Sequence, residues 1–102
     1  MSRAIRIRTA IETHLAPSHL DLQNESHMHA GDRTESHFRL VVVSERFAGA
    51  GLLARHRLVQ DLLQQERDAG LHALALHTYT PEEWRVKGEA APASPACAGH
   101  NA

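Results

Sequence analysis

Cysteine is almost missing from this chain. Cys97 is the only one among 102 residues, so no internal disulfide can staple the fold. That suits a reducing compartment, and the expected location is cytoplasmic. Long apolar runs are missing too. The longest, Leu40-Val41-Val42-Val43, falls far short of the roughly 20 residues of a membrane helix, so no membrane association is expected. The first residues lack the apolar stretch of a secretory signal. Arg3, Arg6 and Arg8 precede the first acid, Glu12, as in a mitochondrial transit helix, but the same segment reads as a packed helix of the domain. An excess of one charge is also absent. Lys+Arg is 11 and Asp+Glu is 12, a net charge of −1, which is not the balance of a dedicated nucleic-acid binder. A local basic patch stays open.

Catalytic signatures are equally scarce. There is no HExxH, no phosphate-binding glycine loop and no evident nucleophile–base pair. Ser26-His27 and Ser36-His37 are adjacent, and adjacent side chains on a strand point to opposite faces, so they make poor dyads. No enzymatic role is expected.

What the chain does have is histidine, nine residues of it. Histidine changes charge near neutral pH and is the commonest metal ligand. The length fits one domain. The hydrophobic share of 42% is that of an ordinary globular protein, with a stability of roughly 5–10 kcal/mol.

Along the chain, Ser2 caps a first helix running to about Leu15, with Ala4, Ile7, Ile11 and Leu15 on one face. Pro17 ends it. His19 to Glu25 alternates as a half-buried strand. Ser26 to Thr34 reads as a loop around Gly31-Asp32. Glu35 to Ser44 is the strongest strand, and its β-branched run predicts burial on both faces and a central position. Phe47 to Gly51 is a turn. A helix is predicted over Leu52 to Asp68, with Leu52, Val59, Leu62 and Leu63 on its inner stripe and Arg55, Arg57, Gln60, Gln64 and Arg67 mostly outside. Gly70 stops it.

Leu71 to Tyr79 is a third strand with a histidine near each end. His72 shares a face with Leu74 and Leu76, and His77 points to the other face as a structural residue. Thr80-Pro81-Glu82-Glu83 starts a last helix with a capping box, and Trp84 packs it back on the domain. From about residue 88 the composition turns to Ala, Pro, Ser and Gly, as in a flexible tail. The domain is therefore placed at 1–87 and the tail at 88–102. The order αββαβα predicts an α+β sandwich. Strands one and two pair antiparallel, strands two and three parallel, in a three-stranded mixed sheet with helices covering one face.

Four blocks then come together. ESHF (Glu35–Phe38), VVVS-x-RF (Val41–Phe47), RHR (Arg55–Arg57) and HALALHTYTPEEW (His72–Trp84) resemble, in order and spacing, the BolA family, over about residues 2–87. Even SPAC (Ser94–Cys97) is similar to a bacterial tail of that family. The resemblance implies a domain related to the second class of KH folds. It also implies two activities. One is partnership with a monothiol glutaredoxin, sharing or transferring a [2Fe-2S] cluster in iron homeostasis. The other is DNA-binding regulation of cell-shape and stress genes.

In the family's shared-cluster arrangement, the glutaredoxin cysteine and glutathione hold one side. The histidine of the HAL motif, here His72, holds the other. The resemblance puts a second ligand in the loop between the first two strands, at His29, with His27 beside it. His37, at a strand start near that loop, is an auxiliary candidate. Imidazole in place of thiolate lowers a cluster's negative charge and raises its potential. A chain with one tail cysteine would not hold such a cluster alone, since about four ligands are needed. Cys97 reads as an ordinary exposed thiol.

For nucleic acid, KH folds use a GxxG loop. Here Gly49 and Gly51 stand at i, i+2, which departs from it. Arg46, Arg55 and Arg57, with Arg39 nearby, remain candidates for phosphate contacts, and the predicted nucleic-acid or partner surface is Arg46, Gly49, Arg55, His56 and Arg57. Exposed strand edges permit a monomer or a weak homodimer.

Overall fold

The computed structural model describes residues 2–25 and 36–91. The predicted loop with His27 and His29, and the tail with Cys97, lie outside the described residues.

Helix α1 spans Arg3–Leu15, with the Ser2 hydroxyl accepting from the Ile5 amide. Ile7, Ile11 and Leu15 are buried, as their spacing requires. The helix stops at Ala16 in the left-handed region, φ 43°, one residue before Pro17. Strand β1 (His19–Asn24) pairs antiparallel with β2 (His37–Val43), and β2 pairs parallel with β3 (Ala73–Tyr79). The order is β1-β2-β3. Strand β2 is central, and every residue from Phe38 to Val43 is buried. Its β-branched run has apolar cover on both sides, which is why it reads as a continuous apolar stretch.

One face of the sheet carries the main core. Phe38, Leu40 and Val42 of β2 meet Ile7, Ile11 and Leu15 of α1, together with Phe47, Val59, Leu63 and Leu71. Leu74 and Leu76 of β3 pack at its margin.

Two sequence expectations are corrected here. The single helix over Leu52 to Asp68 is two, α2 (Leu52–Leu62) and α3 (Gln64–Asp68), broken at Leu63 with φ −105° and ψ 16°. No proline or glycine marks the break. It comes from tertiary contacts: Leu63 is fully buried, and Glu66 is drawn to Arg3 and Arg6 of α1, whose side chains bond its carboxylate at 2.7–3.1 Å. The inner stripe also differs. Leu52 is 62% exposed, while Arg55 is 9% exposed and lines up with Val59 and Leu63. Arginine can do this because its stem is apolar and its head finds buried acceptors.

Helices do not cover only one face either. Helix α4 (Pro81–Val86) begins with Thr80 and the full capping box to Glu83. It carries Trp84 to the opposite face of the sheet. There the indole stacks on His19 at 4.9 Å and leans on Tyr79 at 5.2 Å. Val41 and Val43 point to that face and are 1% and 0% exposed. Apolar side chains on both sides of a strand need cover on both sides. Arg39 lies on the same face, bonded to Asp21 at 3.1 Å and to the Ala91 carbonyl at 3.2 Å.

Candidate functional site

The parallel register of β2 and β3 decides where the histidines go. His37 is opposite Ala73, so the two strands begin side by side and present His37 and His72 at one end of the sheet. The His72 amide donates to the Ser36 carbonyl at 2.8 Å, which fixes the backbone just ahead of β3. The imidazole itself is exposed. The His37 and His72 rings lie 6.1 Å apart, edge to face. Ser36 is 3% exposed, and its hydroxyl lies 2.8 Å from His37 Nδ1. The expectation that these neighbours point apart is corrected, because Ser36 precedes the strand and the alternation has not yet begun. A buried hydroxyl makes no accessible nucleophile. It orients the ring and directs Nε2 away from Ser36.

The structure therefore brings His72 and His37 together. Among the described residues no group of three or more His, Cys, Asp or Glu is placed to hold a metal ion. Two imidazoles are half of a four-ligand set.

Of the second predicted surface, Arg46, Gly49 and Arg57 are exposed, His56 is half-buried and Arg55 is turned inward. Arg55 is not presented to solvent. Its guanidinium bonds Glu83 at 2.6 and 3.0 Å, the Ala50 carbonyl at 2.8 Å and the Thr78 carbonyl at 3.4 Å, and lies 5.8 Å from the centre of the Phe47 ring. This clamp joins α2, β3 and α4. The sequence showed Glu83 only as a capping residue, and a separation of 28 residues from Arg55 leaves no local signal for the pairing. Arg39 is likewise 8% exposed and engaged. His56 is half-buried, its Nε2 has no hydrogen-bond partner among the described residues, and burial, then the charge of Arg55, lowers its pKa. Gly49 adopts φ +80° with open space around it, a turn conformation natural to glycine. The Ala50 amide is spent on the Phe47 carbonyl. Arg46 and Arg57 remain exposed, and Arg46 donates to the His14 carbonyl at 2.7 Å, at the end of α1.

His77, on the face opposite the core, is half-buried, with Nε2 unpartnered among the described residues. Burial is the main cause of its lowered pKa, with the charge of Arg39 second. No helix of the described residues is long and apolar enough to cross a membrane.

The family model for BolA-like protein matches residues 11–83. The chain is 43% identical over 94 residues to the DNA-binding transcriptional regulator BolA of Haemophilus influenzae, covering 91% of each. It is 46% identical over 96 residues to human BolA-like protein 1, covering 93% of this chain and 69% of that one. Among solved structures, the BolA domain of SufE1 from Arabidopsis thaliana superposes with TM-score 0.78 at 47% identity, over 81% of this chain and 96% of that one. The BolA1 protein of Mus musculus gives TM-score 0.79 at 43% identity, over 94% and 78%. These relatives are named as regulators or BolA-like proteins, not as enzymes. By sequence and by fold, the chain belongs to the BolA family.

Proposed function

We propose that this protein is a non-enzymatic cytoplasmic adaptor that docks a monothiol glutaredoxin and supplies histidine to a shared [2Fe-2S] cluster, for transfer or for iron homeostasis. The observation that carries this reading is the exposed His72, held by a fixed backbone at the start of β3 with His37 6.1 Å away. An exposed imidazole on a rigid strand end is a preorganised ligand. Its coordination sphere has room for a partner, because the described residues offer no third donor. His72 is the first ligand. The second is His29 on the preceding loop, with His37 as auxiliary.

The test is anaerobic cluster reconstitution with a monothiol glutaredoxin and glutathione, read by visible absorption and circular dichroism. Wild type should give a mixed complex whose spectrum differs from that of the glutaredoxin homodimer. His72→Ala should abolish it. Loss with His29→Ala, but not with His37→Ala, assigns the second ligand to the loop. A spectrum that never departs from glutaredoxin alone ends the ligand reading.

A second reading, DNA-binding regulation, draws on the names of the Haemophilus influenzae and Vibrio cholerae relatives, 43% and 47% identical. On this chain it rests on the exposed Arg46 and Arg57. Salt-dependent DNA binding that weakens in Arg46→Ala and Arg57→Ala would support it.

A further inference from the structure

Beside His72 the surface has a small concavity of about 90 Å³, lined by Gln60, Arg67, Leu71, His72, Ala73 and Leu74. That is room for a carboxylate or for a few waters. Its lining holds a permanent cation and an amide but no acid. The two carboxylates flanking Arg67 in sequence are engaged elsewhere: Glu66 on Arg3 and Arg6, and Asp68 on Gln64. The Arg67 side chain, by contrast, has no hydrogen bond or ion pair among the described residues, and it is exposed. A planar guanidinium facing a notch without acids favours a carboxylate.

A second, independent feature adjoins this notch. Strand β3 is an edge of the sheet. The Tyr79 carbonyl faces β2, where it accepts from the Ser44 amide. By alternation the N–H and C=O groups of Leu74, Leu76 and Thr78 face outward. Arg55 occupies the Thr78 carbonyl, which closes the far end of this edge. Leu74 and Leu76 are left with outward amides and carbonyls, and Leu74 also lines the notch. Unpaired edge groups are a template for an added strand.

We propose that this edge and notch together bind the C-terminus of an extended peptide. The peptide adds antiparallel to β3. Its backbone pairs with Leu74 and Leu76, and its terminal carboxylate rests on Arg67 and Gln60. The direction follows from the geometry, since the notch lies at the N-terminal end of β3, where an antiparallel strand ends. Strand addition supplies affinity, and carboxylate capture supplies register. The site needs no cluster and does not depend on His72 being a ligand.

The test uses the chain alone, without metal, and follows amide NMR shifts. The probes are acetyl-Thr-Val-Thr-Val with a free terminal carboxylate, the same peptide as its terminal amide, and inorganic phosphate. The acid should move the Leu74 and Leu76 amides and bind at least about tenfold more tightly than the amide form. Arg67→Gln should erase that preference while circular dichroism stays unchanged. Gln60→Ala should weaken it. Equal binding of the acid and amide forms overturns the proposal, and so do shifts that map elsewhere or no shift at all. Phosphate binding as tightly as the acid would also overturn it, by marking the notch as a simple anion site. Because the readout contains no cluster, failure here leaves the glutaredoxin reading standing, and the reverse holds too.

Discussion

Arg55 and Glu83 form a bidentate ion pair, with contacts of 2.6 and 3.0 Å, that ties α2 to the first turn of α4. The same Glu83 carboxylate accepts from the Thr80 amide at 3.0 Å. One side chain thus caps a helix and holds the buried arginine of another. Removing its charge strands Arg55, which is 9% exposed. Glu83→Gln should destabilise the fold by about 1–3 kcal/mol, a figure reduced because the Glu83 side chain is half exposed to water. Urea unfolding monitored by circular dichroism measures it.

The pair also sets an acid limit. Hydrogen bonding from Arg55, and then from the Thr80 backbone, holds the Glu83 carboxyl down at about 2. A carboxyl with a depressed folded pKa stabilises above its unfolded value of roughly 4.3 and loses that contribution as pH falls toward the folded value. Melting temperature should therefore drop between about pH 4.5 and 2, and this drop should shrink in Glu83→Gln.

His56 and His77 act in a higher window. Burial is the first cause of the lowered pKa in both. A lowered folded pKa means that the unfolded chain binds the proton more readily, so stability is full above about pH 6.5 and declines below it. The Nε2 atoms have no hydrogen bond to lose among the described residues. His77→Leu should be close to neutral at pH 7.5 and should flatten the loss of melting temperature from pH 7 to 5.5. An unchanged slope would remove His77 from that loss.

Trp84 is the lid of the second sheet face. Trp84→Ala removes its stacking on His19 and Tyr79 and thins the cover over that face. A cost of about 2–4 kcal/mol is expected by denaturant titration, shifted below the range of roughly 3–5 kcal/mol for a buried aromatic because the indole is only half-buried.

His72→Ala separates function from stability. The ring is exposed, and the backbone bond to Ser36 survives the substitution. Stability should change by no more than about 0.5 kcal/mol, while the mixed cluster complex is lost. A large loss of stability would mean that His72 serves the fold.

Local periodicity settled much of this protein. Ile7, Ile11 and Leu15 are buried because their spacing puts them on one helix face, and β2 is central because a run of valines needs cover on both sides. Ser2, Thr80 and Glu83 cap their helices because short polar side chains reach the first free amides. The blocks ESHF, RHR and HALAL carry the family resemblance in the sequence alone. Tertiary structure decided what depends on residues far apart in sequence. The split at Leu63 follows Glu66 reaching across to α1, and the inward turn of Arg55 follows from a carboxylate 28 positions away. Trp84 crosses to the second face because His19 and Tyr79 are there. The meeting of His37 with His72 is of the same kind. The sequence contained both residues, but only the parallel register of β2 and β3 puts two strand beginnings side by side and makes two separate histidines neighbours.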